Sequence, residues 1–245
     1  MHIIRNLTIS ILILLMISCS PNKSNEKLIV GVSPDYPPFE FSRSNKIEGY
    51  DIDLVTEIAK QMNKDLEIKD MEFNALIPSL TTNKIDIAIS GLTINESRIK
   101  NIDFSIPYFK VKLAALSKPN FIIMKIEDLA GKSIGVQTGS SFEQYAKTLN
   151  NVTIISQSNN LQLIQELLIG RVDAVFCENS QADEFTKQYN IQQVILDGAL
   201  DSEYAMAFKK NNEIQEKINS IIKQLKENGF LEQLEAKWVN KNVIT

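Results

Sequence analysis

Short apolar runs alternate along the chain with stretches of helical periodicity. Residues 28–33 (LIVGVS) form an apolar run of strand length. Over 51–62, Ile52, Val55, Ala59 and Met62 recur at steps of three, four and three, which is one face of a helix. A strand at 66–69, a short helix at 73–82 and a buried strand at 85–90 (IDIAIS) follow. Asn95 reads as the N-cap of a short helix that holds Arg98 in its first turn. Further strands are predicted at 113–117, 133–137, 153–156, 172–177, 194–196 and 204–208. Between and after them come helices at 141–149, 161–169, one ending at Tyr189, one at 213–228 stopped by Gly229, and a last one at 230–238. This alternation predicts an α/β architecture with mostly parallel sheets.

One segment recurs. Residues 83–89 (NKIDIAI) are echoed at 170–176 (GRVDAVF). Each follows an apolar helix and runs through a basic residue, a β-branched residue and an aspartate into a buried strand. The echo points to two similar lobes. The competing explanation is that helix-to-strand junctions often look alike.

The first residues read differently. An apolar run at 7–17, broken only by Thr8 and Ser10, follows Arg5. At 1.5 Å per residue it covers about 16 Å, well short of a bilayer core of about 30 Å. That is the size of a signal-peptide hydrophobic region. The segment LMISC at 15–19 looks like a bacterial lipobox, so residues 1–18 are expected to be removed and Cys19 to carry lipid. Residues 19–27 then read as a polar tether to a membrane surface. Cleavage takes away His2, the chain's one histidine, and with it any Ser-His-Asp or Cys-His catalytic arrangement. Cys177 is expected to be a buried structural thiol.

Composition narrows the class further. With 44% hydrophobic and 23% charged residues the chain has enough apolar material for a core, which excludes disorder as its main state. A net charge of −4 argues against nucleic acid as a partner. Neither cysteine has CxxC or CxxH spacing. Gly131-Lys132-Ser133 mimics the end of a P-loop, but Ile126 stands where that motif needs glycine. No metal and no cofactor is expected.

In open α/β sheets ligands bind beyond the carboxyl ends of strands. After the strand at 85–90 come Ser90, Gly91 and Thr93, then Arg98, which can grip a carboxylate with two parallel hydrogen bonds. A surface ion pair of Arg98 with Glu96 or Asp103 is the alternative. Residues 138–141 (TGSS) are either a small anion nest or a plain serine N-cap. Glu178, at a strand end, can accept from an ammonium group or can sit in solvent. Tyr36, on a proline-braced loop, is either an aromatic wall or cover for an edge. A carboxylate grip, an ammonium acceptor and an aromatic wall together suit a zwitterionic amino acid better than a sugar or a metal.

At these residues the sequence resembles the family 3 extracellular solute-binding proteins, the amino-acid receptors of ABC importers. The resemblance rests on YPPFEF at 36–41, GYDIDL at 49–54, FNALIPSL at 73–80, IDIAISGLTI at 85–94 with Arg98, DFSIPY at 103–108, GVQTG at 135–139, and Gly229 with Trp238. It implies a two-lobed α/β fold of the type II periplasmic-binding-protein kind. Lobe one would comprise residues 28–112 and 209–245, lobe two 118–203, with hinge strands at 113–117 and 204–208. By resemblance, Arg98 grips the ligand α-carboxylate, helped by Thr93 and Ser141. Ser90 and Glu178 meet the α-ammonium, and Tyr36 and Phe73 wall the side chain. Gly91, Ser33 and Gln137 complete the pocket. Ser33 replaces a common aspartate, Gln137 stands where glutamine binders carry lysine, and Glu178 stands where the family usually has aspartate. The pattern looks most like arginine receptors, and two aromatic faces suit a guanidinium. The implied partners are a free amino acid, an ABC permease and, through the lipid, a membrane, with the receptor a monomer. A glutamine receptor is the next reading. A secreted cyclohexadienyl dehydratase-like enzyme, on the same fold, is the third.

Overall fold

The computed structural model describes residues 25–240. The expected signal peptide, Cys19 and most of the tether lie outside the described residues. The folded part begins earlier than the tether reading allowed. Lys27 opens β1 (Lys27–Val32), and Asn25 donates to Asp65 at 3.2 Å.

Two sheets form the frame. In the first, β1 runs parallel between β5 (Asp65–Asp70) and the two-residue β6 (Ile87–Ala88). The helices α1 (Tyr50–Gln61) and α2 (Leu76–Thr81) make the crossovers that parallel pairs require. Beyond β6 the sheet turns antiparallel, through β14 (Ala207–Lys209) to β7 (Ile102–Phe104). The second sheet repeats the arrangement. Here β9 (Ser133–Gln137) lies between β10 (Thr153–Gln157) and β11 (Ala174–Glu178), all parallel. The antiparallel β8 (Phe109–Ser117) and β12 (Gln192–Ile195) follow. Both sheets are therefore mixed rather than mostly parallel. A small antiparallel meander of β2 (Asp35–Tyr36), β3 (Glu40–Arg43) and β4 (Lys46–Glu48), unseen in the sequence pattern, sits beside the first sheet.

The echoed aspartates do the same work in each sheet. The Asp86 carboxylate accepts from the Ile29 N–H at 2.8 Å while the Asp86 N–H donates to the Ile29 carbonyl. Asp173 makes the same pair of bonds with Ser133, at 2.8 and 2.9 Å. In each case the aspartate ties the approach to one strand, β6 or β11, to its parallel neighbour, β1 or β9.

Period-two alternation separates the two faces of the second sheet. Leu113, Ala115 and Phe176 enter one core with Ile134 and Val136, while Ala114, Leu116, Val175 and Cys177 enter the other with Leu163 and Phe185. Cys177 is a buried free thiol, and burial pushes its pKa up. In α1 the expected Val55 and Ala59 are buried with Met62 just beyond its end, Ile52 packs against the same core, and Leu54 and Ile58 widen the buried face. The chain's end returns to the first sheet. After α7 (Gln215–Glu227), α8 (Phe230–Trp238) packs on α1, where the Trp238 indole donates to Asp53 at 2.7 Å.

The expected hinge strands are displaced. Residues 113–117 are ladder-paired with β11 and β12 inside the second sheet, and Ala207–Lys209 belongs to the first. Residues 109–112 of β8 pair instead with β13 (Asp201–Tyr204), four and three residues before the starts of the expected spans. A strand of nine residues is long enough to serve as connector at one end and sheet member at the other.

Candidate functional site

The short helix α3 (Glu96–Ile99) exists because Asn95 caps it. The Asn95 side chain accepts from the Arg98 N–H at 2.9 Å. The cap aims the Arg98 side chain back into the protein. Its Nη1 donates to the Thr93 carbonyl at 2.8 Å and the Thr93 hydroxyl at 3.0 Å. Its Nη2 donates across to the Gly139 carbonyl on the second lobe at 3.0 Å. The guanidinium lies 5.5 Å from the Phe73 ring centroid. Arg98 is only 4% exposed, and no carboxylate pairs with it among the described residues. Burial lowers its pKa to about 10, so it stays charged at neutral pH. The surface ion-pair alternative fails: Asp103 pairs with Lys210 at 2.6 Å.

Residues 138–141 follow β9 into α4 (Ser141–Ala146). Ser140 is the N-cap, accepting from the Glu143 N–H at 3.0 Å, and the Glu143 carboxylate takes the Gly139 N–H at 2.8 Å. These donors are thus used within the turn, as the plain-cap alternative has it. What the turn offers the cleft is Ser141. Its hydroxyl hydrogen-bonds that of Thr93 and accepts from the Asn95 side chain at 3.2 Å.

Glu178 ends β11 and is fully buried rather than in solvent. It caps α6 (Asn179–Gln188), accepting from the backbone N–H groups of Ser180, at 2.8 Å, and Gln181. Burial raises its pKa to about 8, although those two donors pull the other way. Its charge acts on the Tyr36 and Tyr204 hydroxyls, which share a hydrogen bond of 2.8 Å. Gly91 sits under this pair at φ +55°. A Cβ there would lie 3.0 Å from Tyr36 Cε1 and 3.1 Å from Tyr204 Cζ, so both backbone sign and space call for glycine.

The other expected residues lie around the same opening. Ser33 donates its N–H to the Ser90 hydroxyl at 3.0 Å and its own hydroxyl to Asp35 at 3.1 Å. Phe73 and Tyr36 are 8% and 7% exposed, at the inner wall rather than an outer edge. Gln137 turns aside, its amide reaching the Ser158 carbonyl at 3.4 Å on its own lobe.

Three participants escaped the sequence reading. Asp35 accepts across the cleft from the Asn160 backbone N–H at 2.6 Å, at the start of α5 (Asn160–Ile169), and from its side chain at 3.3 Å. Glu40 accepts from Ser90, and Tyr204 closes the floor. Asp35 and Glu40 stood within or beside the proline-braced loop at 33–39. Nothing local marked Tyr204.

The model of bacterial extracellular solute-binding proteins, family 3, matches residues 28–241. The chain belongs to that family. Among its relatives is the arginine-binding extracellular protein ArtP of Bacillus subtilis, 36% identical over 219 residues, covering 87% of this chain and 86% of the relative. Among solved structures, the arginine-, lysine-, histidine-binding protein ArtJ of Geobacillus stearothermophilus superposes with a TM-score of 0.84 at 32% identity, over 88% of this chain and 96% of that one. An ancestral arginine-binding protein bound to glutamine reaches 0.82 at 39%, over 86% and 97%. This family 3 member is a binding protein rather than an enzyme, and it is a two-lobed receptor that works outside the cytoplasm with an ABC transporter.

Proposed function

We propose that the chain captures a basic amino acid of the arginine kind between its lobes and delivers it to an ABC permease. The carrying observation is a pair of buried charge sites that both act on the Tyr204 hydroxyl. Arg98 is a cation without a carboxylate partner among the described residues, and Glu178 is a carboxyl group held neutral by burial. An α-carboxylate entering beside Arg98 would take two N–H donors from the guanidinium, with the Thr93 and Ser141 hydroxyls beside it. The α-ammonium would lie toward Glu178 and the Ser90 carbonyl. The side chain would run along Phe73 and Tyr36, whose faces suit a planar cation. The names of these similar proteins favour a basic side chain, arginine among them.

Delivery follows from closure. A ligand that touches both lobes favours the closed state by the contacts it makes only there. The antiparallel pair at 109–112 and 201–204 is the natural axis. Residues 25–112 with the chain's end form one moving body and the second sheet the other. Lipid on Cys19 would hold a monomeric receptor at the membrane. Palmitate labelling of the full chain, lost in Cys19→Ala, tests that anchor.

Thermal unfolding tests the ligand. After removal of any co-purified ligand, arginine at a hundredfold excess over Kd should stabilise the protein by about 2.7 kcal/mol. For a chain of this size that is roughly 5–10 °C. Glutamine, bound in one of the similar structures, should give a smaller shift. A larger shift with glutamine would reassign the side-chain pocket, and no shift with any amino acid would overturn the proposal.

A further inference from the structure

Behind the cleft two acids meet. Glu40 opens β3 and Asp51 lies in the first turn of α1, and both are 0% exposed. Glu40 Oε1 accepts from the Ser90 hydroxyl at 2.5 Å, and that hydroxyl accepts from the Ser33 N–H. Asp51 Oδ2 accepts from the Tyr108 hydroxyl at 2.9 Å and the Gly91 N–H at 3.3 Å. The second oxygens, Glu40 Oε2 and Asp51 Oδ1, are buried and have no donor among the described residues. The two residues sit together: the Asp51 N–H donates to the carbonyl of Phe39, one residue before Glu40, at 2.9 Å, and the two carboxyl groups hold the adjacent residues Ser90 and Gly91. The titratable groups that face them are Asp35, Tyr50, Tyr108 and Tyr204, all acids, and neither carboxyl has an ion pair among the described residues. Two buried carboxylates in contact cannot both ionise, and two acceptor oxygens attract only through a proton between them.

We infer that Glu40 and Asp51 share one proton and act as positioning residues for the Ser90 and Gly91 loop. The inference rests on the reading of that loop as the wall that meets the ligand ammonium. The proton sits on Glu40 and bridges to Asp51, and the Asp51 carboxylate holds Gly91 and Tyr108. Glu40 in turn holds Ser90, whose carbonyl faces the ligand. The loop is thus fixed from behind by both acids, and neither touches the ligand.

An amide can stand in for the shared proton once but not twice. Glu40→Gln places an N–H donor against the Asp51 carboxylate, and Asp51→Asn places one against Glu40. The double variant sets two NH₂ groups against each other. Each single change should weaken arginine binding by less than about tenfold and the double change by more than about a hundredfold, well beyond additivity. Losses that simply add would overturn the shared proton. A second measurement needs no ligand. In a Glu178→Gln background at pH 8 the folded protein should show the infrared carbonyl band of a protonated carboxyl. That band should vanish with Glu40→Gln and equally with Asp51→Asn, whose amide N–H replaces the shared proton. Absence of the band, or its survival in Glu40→Gln, would overturn the inference even if arginine binds. Loss of arginine binding with the band intact would instead overturn the ligand reading alone.

Discussion

The Arg98 guanidinium reaches from one lobe to the other, its Nη2 donating to the Gly139 carbonyl at 3.0 Å. The same group is a buried cation that carbonyls, a hydroxyl and a ring face meet, but no carboxylate among the described residues, so its charge is unpaired until an anion arrives. Truncating one partner of a buried charge pair costs about 2–5 kcal/mol of binding. Arg98→Ala should therefore weaken arginine binding by about a hundredfold or more in calorimetry. Arg98→Lys should not restore it, because an ammonium cannot form the fork. The unliganded midpoint should hardly fall in Arg98→Ala, since the variant also removes a buried charge. A large fall would mean that Arg98 serves the fold.

Glu178 makes binding and stability depend on pH in opposite senses. Its folded pKa of about 8 lies above the ordinary value of 4.5, so between those limits the folded state binds more protons than the unfolded. Unfolding free energy must then fall as pH rises across that window. The unliganded midpoint should drop from pH 5 to pH 8, and Glu178→Gln should flatten part of that slope. Asp51, raised to about 6, and Glu40 and Asp35, whose pKa values burial also raises, contribute in the same direction and keep the rest. A ligand ammonium beside Glu178 favours its charged form. Binding at pH 7 should then release a proton, and affinity should rise with pH toward 8. Calorimetry in two buffers of different ionisation heat measures the release. No release in wild type, or an equal release in Glu178→Gln, would place the ammonium elsewhere.

The echoed aspartates allow a test of the fold that leaves the site alone. Asp86 and Asp173 each accept a part-buried backbone N–H, from Ile29 and Ser133. Removing the acceptor leaves that donor without its partner, at about 1–3 kcal/mol. Asp86→Ala and Asp173→Ala should each lower the midpoint by several degrees, roughly 2–4 °C per kcal/mol at this size. Asp173→Ala should cost more, because Asp173 also accepts from the Ser133 hydroxyl at 2.8 Å. Arginine affinity should stay within about twofold. Unchanged midpoints would show the echo to be a mere likeness of junctions.

Those aspartates also show what was legible. The repeated helix, aspartate and strand pattern pointed to two lobes because local bonds create it, and local bonds are written in adjacent residues. Arg98 could be read from its own helix start for the same reason: Asn95 caps the turn that aims it. The misses are relationships between distant segments. Tyr204 meets Tyr36 across 168 positions, and Asp35 meets Asn160 across 125. The hinge slipped by four residues because one uninterrupted strand, β8, serves two sheets without any change in its apolar pattern. Gln137, placed in the pocket by resemblance alone, gives its amide to the Ser158 carbonyl of its own lobe at 3.4 Å.

The Asp35 contact with Asn160 bears on closure itself. Asp35 belongs to the first lobe, and its carboxylate accepts the first free N–H of α5 on the second at 2.6 Å. A helix start carries a partial positive charge, so the carboxylate gains from the dipole as well as the bond. The contact exists only when the lobes are together. It therefore adds to the closed state alone and lowers the differential affinity that a ligand must supply. A loss of about 1.4 kcal/mol of closed-state stabilisation is a tenfold change in the closure equilibrium. Asp35→Ala should thus weaken arginine binding by about tenfold and leave the unliganded protein more open. Small-angle scattering would register that as a larger radius of gyration, which saturating arginine should restore. The same radius with and without the carboxylate, at unchanged affinity, would show that Asp35 rests against Asn160 without holding the lobes together.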